Sequence, residues 1–349
     1  RYEYVYPNIN ILKLFDTGDK YNGNLSFEIS GHQKKINTNT EEMILINNLL
    51  YKSDPFYNTK GLKNNYSVLL KNVNTDSTNS DRYKEKENEI LGMLLFETSY
   101  PLQKKNDNNN NYLTPKISLR YSPTDTRNIR DADRRIDINN IFALDRIGSN
   151  DSLEGGQSLT VGTEYRINDK DDNDFLSINL GKVFRNEVNE DLPTSSTIGN
   201  KESDIVGNFK FVPNDHFKLD YDFSLDNNIE TANYHMIKTE LKTNNFITSF
   251  EYLEENNVIG DENYIGNKTT FNFDKNNSLK FATRKNKKTN LTEFYNLIYE
   301  YKNDCLIAAI QYNKEYYDDD NIKPEELIYF SLTILPFDGK INSPGLLKW

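Results

Sequence analysis

The sequence predicts an all-β fold: a transmembrane antiparallel up-and-down β-barrel of the outer membrane, with about eighteen strands in this chain. Three observations carry that expectation. Apolar and polar residues alternate with a period of two, which puts successive side chains on opposite faces of a sheet. The alternating segments run to about ten residues, the length a tilted strand needs to cross a hydrocarbon layer. Short and long connections follow one another, as they do when one rim of a barrel carries tight hairpins and the other carries extended loops.

The alternation is clearest in three places. In 216–225 the apolar set is Phe217, Leu219, Tyr221, Phe223 and Leu225, interleaved with Lys218, Asp220, Asp222 and Ser224. In 158–166 Leu159, Val161 and Tyr165 stand against Ser158, Thr160, Glu164 and Arg166. Near the end Ile328, Phe330, Leu332 and Ile334 alternate with Tyr329, Ser331 and Thr333. Rougher segments are expected near 2–12, 21–30, 42–51, 62–73, 89–99, 112–121, 135–145, 174–184, 203–212, 233–243, 245–254, 264–274, 277–285, 291–302 and 304–316.

The connections are rich in Asn and Asp, residues that tolerate turn geometry. Pro213-Asn214-Asp215 and Thr243-Asn244 are short; 74–88, 122–134 and 185–202 are long. The charged stretch Asp81–Glu89 reads as a loop rather than a helix. No repeat of fixed length appears, which speaks against a propeller or solenoid. Alternation by itself fits a membrane barrel and a large soluble β protein equally. Aromatic residues near segment ends, such as Tyr2, Tyr4, Tyr6, Tyr51, Tyr100 and Tyr121, favour the barrel, because an interfacial ring sits at the acyl boundary while its hydroxyl meets water.

Composition narrows the function classes. The 349 residues carry 42 basic and 53 acidic side chains, a net charge of −11, which excludes a basic nucleic-acid binder. Mean hydropathy is −0.79, yet 23 Tyr and 19 Phe supply more apolar surface than a disordered chain has. The three histidines, His32, His216 and His235, and the single Cys305 are too scattered for a zinc site. The longest apolar runs, Ile90–Phe96 and Leu306–Ile310, fall far short of a membrane-spanning helix. The first residues do not read as a signal peptide, and they begin within a strand-like pattern, as a fragment would.

Little points to chemistry. Gly155-Gly156 lacks the rest of a phosphate loop and reads as a tight bend or a close approach of backbone. The run 169–174 lacks the Gly and Glu of a calcium loop, with Asp174 and Leu180 in their places. Asp318-Asp319-Asp320 reads as an exposed loop. No His neighbours a nucleophile motif. The expectation is therefore a non-enzyme without cofactor, metal or catalytic residue.

From 99 to 165 the chain resembles the LptD family of lipopolysaccharide-assembly proteins, also called organic solvent tolerance proteins. The matching pieces are Tyr100-Pro101-Leu102, Leu113-Thr114-Pro115-Lys116, Leu119-Arg120-Tyr121-Ser122-Pro123 and Asn140 to Arg146. They culminate in Leu153-Glu154-Gly155-Gly156-Gln157 and the following Leu159–Tyr165. Ser203–Gly207 and Tyr301–Leu306 with Tyr312 agree as well. The family often carries Asp-Arg before the Glu-Gly-Gly element, whereas here Asp151 is followed by Ser152.

The resemblance implies lipopolysaccharide transport and assembly at the outer leaflet of the cell outer membrane, by a barrel translocon with a lateral gate. It implies that 1–336 is the C-terminal part of a larger barrel, with 337–349 a tail, and that the final strand, with Ile328, Phe330, Leu332 and Ile334, borders the gate. The implied partners are lipopolysaccharide, outer-membrane lipid, an LptE-like lipoprotein plug and periplasmic Lpt bridge proteins, with no nucleic acid. Many members have paired cysteines near the C-terminus; Cys305 alone implies one bridge to an upstream segment, or else a free thiol. The alternative function is a general outer-membrane porin or receptor barrel.

Overall fold

Period-two segments joined by turn-prone connections fold into one continuous meander. The computed structural model describes residues 3–18, 22–36, 39–80, 82–83, 86–256, 262–316 and 325–334. The first strands are β1 (Glu3–Asp16), β2 (Gly23–Ile36), β3 (Thr40–Ser53), the short β4 (Phe56–Tyr57), β5 (Lys63–Thr78) and β6 (Glu87–Ser99). The short β7 (Leu102–Lys105), β8 (Asn110–Ser122), β9 (Gly156–Asn168) and β10 (Asp174–Arg185) follow. Then come β11 (Ile205–Asn214), β12 (Phe217–Leu225), β13 (Ala232–Lys242), β14 (Phe246–Glu255) and β15 (Asn263–Asn272). The last are β16 (Asn277–Asn286), β17 (Thr292–Lys302), β18 (Leu306–Glu315) and β19 (Glu326–Ile334).

Every long strand pairs antiparallel with the next long strand in the chain, from β1–β2 to β18–β19. The two short strands are turn extensions, β4 on β5 and β7 on β8. Among the described residues no ladder joins β1 to β19. One rim carries tight turns, such as 215–216, 243–245, 273–276 and 303–305; the other carries the longer connections, above all 123–155 and 186–204.

The register fixes two faces. Ser224, Asp222 and Asp220 of β12 lie opposite Val206, Asn208 and Lys210 of β11, and the Asn208 amide donates to Asp222 at 2.7 Å. This is the inner face. Phe217, Leu219, Tyr221, Phe223 and Leu225 point the other way, as alternation predicts. The outer stripe of β19 is open to the surroundings: Ile328, Phe330, Leu332 and Ile334 are 57–77% exposed. Ile117, Leu119 and Tyr121 of β8 are exposed on the same outer face, while Ser118, Arg120 and Ser122 are buried inside.

One expected strand is absent. The segment 135–145 forms no strand; it lies within the connection 123–155, which turns inward and packs on the inner face. Its apolar residues Ile136 and Ile138, then Ile141 and Ala143, are each spaced by two and mimic pieces of a strand, but Asp137 and Asn140 fold the backbone into a turn. Asp137 Oδ1 accepts from the backbone N–H groups of Asn139 at 2.7 Å and Asn140 at 3.0 Å. The expected barrel end at 335–336, the expected tail at 337–349, Tyr2 and Asp318–Asp320 lie outside the described residues.

The inward segment explains why β5 and β6 alternate poorly. Their inner faces carry Leu69, Val73, Leu91 and Met93, which form an apolar cluster with Ile44 and Ile46 of β3, Tyr83 and Leu153. A strand covered on both faces reads as a nearly continuous apolar run. A second cluster joins Ile129, Ile136, Ile141 and Ile147 of the inward segment to Leu192 and Ile198 of 186–204, and to Val183 and Val206 on the wall. Fully burying each such aliphatic side chain contributes about 1.5–3 kcal/mol.

Candidate functional site

Three sequence pieces that lie apart along the chain meet at one buried carboxylate. Glu154 is 1% exposed and is surrounded by the guanidinium groups of Arg120 from β8, Arg146 from the inward segment and Arg185 from β10. Arg146 donates to Glu154 Oε2 through Nε at 2.8 Å and to Oε1 through Nη2; Arg185 Nη1 also donates to Oε1. Arg120 Nη1 stands 3.6 Å from Oε2.

One carboxylate cannot balance three guanidiniums; backbone oxygens accept part of the remaining hydrogen bonds, while Arg120 Nη1 and Arg185 Nε are buried without a hydrogen-bond partner among the described residues. Arg120 donates to the carbonyls of Leu144 (3.0 Å) and Ala143, and Arg185 donates to the carbonyl of Gly155 at 2.6 Å. Arg146 Nη2 also donates to the Ser158 hydroxyl of β9 at 3.1 Å. Burial pushes the Glu154 carboxyl up, but the charges of Arg146 and Arg120, the Arg146 hydrogen bonds and the charge of Arg185 outweigh it and hold it at about 2. The group is therefore ionised at neutral pH and acts as an anchor.

The two glycines beside it make the close approach possible. A Cβ on Gly155 would sit 2.5 Å from the Thr124 carbonyl oxygen, and Gly156 has φ +86°. The Gly155 N–H donates to Thr126 Oγ1 at 2.8 Å, closing the bend through which the segment enters β9.

A second ionic clasp lies nearby. Arg82 grips Asp151 with two hydrogen bonds, 2.8 Å through Nε and 2.6 Å through Nη2, and the Tyr83 hydroxyl adds a third at 2.6 Å. Burial raises the Asp151 carboxyl, but the hydrogen bonds from Arg82, Tyr83 and Ser149 and the Arg82 charge bring it well below the usual carboxylate range. Asp145 goes the other way: its burial outweighs Lys71 and the N–H groups of Gly148 and Ile147, so its carboxyl is raised. Lys71 of β5 donates to the Ser149 carbonyl at 2.8 Å.

The segment 186–204 locks onto the first. The Ile129 N–H donates to the Asp191 carbonyl at 2.8 Å, and the Asn189 amide donates to Thr126 Oγ1 at 2.7 Å. Asp204 fastens the far end by accepting from Ser224 of β12 and Asn233 of β13, both at 2.8 Å. Arg135 reaches further still, to Glu255 of β14 at 2.7 Å, with its guanidinium carbon 3.4 Å from the centre of the Tyr234 ring.

Toward the tight-turn rim the inner face keeps a polar cavity of roughly 550 Å³. Lys116, Glu164, Asn208, Asp222 and Lys238 line it, with Phe142 as its apolar side. Lys116 pairs with Glu164 at 3.4 Å.

Glu154, Gly155 and Gly156 are thus brought together with Arg120 and Arg146. Cys305 is elsewhere: it lies exposed in the 303–305 turn on the tight-turn rim, its N–H donating to Asn303 Oδ1 at 2.9 Å. Ile328, Phe330, Leu332 and Ile334 are on the outer face of β19, remote in the register from the Glu154 cluster. Sequence reasoning missed Arg185 and the Arg82–Asp151 clasp. The available signal was charged residues in inner-face phase, since Arg120 and Arg185 both stand where a strand turns its side chain inward.

Among known proteins, no curated protein matches the chain. Solved structures similar to it include a mutant of Rh. blastica porin, at 10% identity, covering 92% of this chain and 99% of that one with a TM-score of 0.34. The siderophore receptor PirA from Acinetobacter baumannii is similar at 11% identity, covering 95% of this chain and 64% of that one with a TM-score of 0.40. Likeness at that level says nothing of function. The family described as "LptD: LPS transport system D" matches over residues 50–268, well over half of the chain and the whole of the Glu154 site. The chain belongs to the LptD family of lipopolysaccharide transport proteins.

Proposed function

We propose that the chain is the barrel part of an outer-membrane translocon that delivers lipopolysaccharide to the outer leaflet and releases it sideways beside β19. The observation that carries this reading is an interior occupied by two interlocked segments, 123–155 and 186–204, tied to the wall through Glu154. A wall filled in this way suits a conduit for a bulky amphiphile better than an open pore for small solutes. The polar cavity lined by Lys116, Glu164 and Asp222 offers hydrogen bonds to a sugar headgroup, and the outer stripe Ile328, Phe330, Leu332 and Ile334 offers an apolar border to acyl chains leaving into the bilayer.

In this reading the tight-turn rim faces the periplasm, as short turns do in outer-membrane barrels. The barrel spans 1–336 and 337–349 is a tail; an LptE-like lipoprotein and periplasmic bridge proteins complete the assembly. The chain performs no catalysis, and the driving energy comes from upstream machinery. Cys305, on the rim that meets an oxidising compartment, forms a disulfide with an upstream cysteine. Electrophoresis of the full-length protein with and without reductant checks this; identical mobility eliminates the bridge.

The decisive experiment is depletion in cells. Loss of newly made lipopolysaccharide from the surface, with uptake of small solutes unchanged, is the expected result. Loss of solute uptake alone would instead make the protein a general porin or receptor barrel.

A further inference from the structure

A cavity of roughly 430 Å³ lies at the long-connection rim, between the segment 186–204, the inward segment and the ends of β12, β13 and β14. Its lining includes none of Glu154, Arg120, Arg146 and Arg185, and it borders the place where Asp204 is fastened to Ser224 and Asn233. Its size falls within the range of small-ligand pockets, about 300–1,000 Å³. The Thr194 N–H donates to the Arg130 carbonyl at 3.2 Å, so the two segments are joined where they line it.

The lining offers hydrogen-bond donors and acceptors together, and several of them are unspent. Arg130 is exposed and its guanidinium forms no ion pair among the described residues. The Asn233 amide nitrogen already donates to Asp204 at 2.8 Å and that of Asn256 to the Ala232 carbonyl at 3.0 Å, while their Oδ1 atoms accept from no described residue. The Ser195 hydroxyl, donor and acceptor in one, is buried without a partner among the described residues. A buried polar atom of this kind is one that a further hydroxyl would satisfy.

A sugar residue matches this set, because each of its hydroxyls donates and accepts at once and its C–H faces can pack on the half-open Val188, 52% exposed. A phosphate or carboxylate does not. The one unpaired cation, Arg130, is offset by the carboxylates of Glu190 and Asp204 and by the two amide oxygens, and Arg135 is balanced by Glu255. We propose that the cavity binds an uncharged residue of the saccharide part of lipopolysaccharide as it emerges at the outer leaflet. The identity of that saccharide rests on the proposed function; the preference for an uncharged sugar rests on the cavity alone. Once seated, the sugar bridges the inward segment, 186–204 and the wall.

The test is isothermal titration calorimetry of the full chain, folded in detergent, with the water-soluble oligosaccharide released from lipopolysaccharide by mild acid, before and after phosphatase treatment. The folded state is monitored by the mobility difference between unheated and heated samples on a gel. The oligosaccharide should bind, and removal of its phosphates should leave the affinity unchanged. Arg130→Ala, which withdraws donors, and Asn200→Trp, which fills the cavity from its exposed side, should each lower affinity at least about tenfold, whereas Arg134→Ala, at an exposed arginine outside the cavity, should not. Saturating oligosaccharide should also slow proteolysis within 186–204. Absence of binding to folded protein, binding lost with the phosphates, or unchanged affinity in folded Arg130→Ala and Asn200→Trp would overturn the proposal. Those results leave the proposed function standing as long as depletion still strips lipopolysaccharide from the surface; binding without that dependence would overturn the assignment to delivered cargo, and the proposed function with it.

Discussion

Gly162 of β9 lies directly opposite Gly181 of β10, and the two leave a dent on the inner wall in which Ile141 and Phe142 sit. A Cβ on Gly162 would stand 2.7 Å from Phe142 Cζ and 2.4 Å from the Leu180 carbonyl oxygen. Gly162→Val should therefore displace Phe142 and cost about 1–3 kcal/mol by overpacking. Urea titration of the folded barrel reads the cost, and limited proteolysis should show new cleavage within 123–155.

Glu154→Gln removes the carboxylate shared by Arg120, Arg146 and Arg185 while keeping its shape. Three buried guanidinium groups then lack a counter-charge, and breaking a buried ion pair in this way costs about 3–5 kcal/mol. The prediction is checked by the urea midpoint, which should fall more than that of an exposed control such as Glu187→Gln. An equal shift in the two variants would show that the cluster does not anchor the segment.

The same carboxylate gives stability a defined dependence on pH. Its folded value of about 2 lies below the ordinary 4.5, so its contribution is complete above 4.5 and is lost as pH falls toward 2. Asp151 contributes with the same sign. Asp145, raised by burial, acts in the opposite direction and offsets part of the loss. Denaturation measured across pH 5 to 2 should show falling stability in the wild type and a flatter profile in Glu154→Gln.

Phe330 and Leu332 occupy the outer stripe of β19, and Thr333 lies on the inner face between them and Ile334. An Arg at Phe330 or Leu332 should cost about 2–4 kcal/mol in folding into lipid vesicles if it falls at the bilayer midplane. Thr333→Ser should be mild. Equal cost at both faces would defeat the assignment of the outer stripe to lipid.

The sheet was legible in the sequence because an apolar face opposite a polar one imposes a period of two on most strands, β5 and β6 being the exceptions. β12 shows it most plainly, with five outer apolar residues and four inner polar or charged ones. The inward segment was not legible. Ile136 with Ile138, and Ile141 with Ala143, carry enough spacing by two to pass for a strand, and nothing local reveals that Ile136 and Ile141 pack on a wall built by Val183 and Val206, 40 or more positions away. The bend at Gly155-Gly156 could be read from glycine itself, but its purpose could not. The partners of Glu154 come from β8 and β10, and only the register brings Arg120 and Arg185 to its two sides.

Leu153 is embedded beside β3 and β5, whereas Arg135, a few turns earlier in the same segment, grips Glu255 of β14. The segment therefore works as a tie-rod across the curl of the sheet and limits its girth. Of its two ends the Arg135–Glu255 grip is less deeply enclosed than the Glu154 cluster, so it is where the rod would yield first under load.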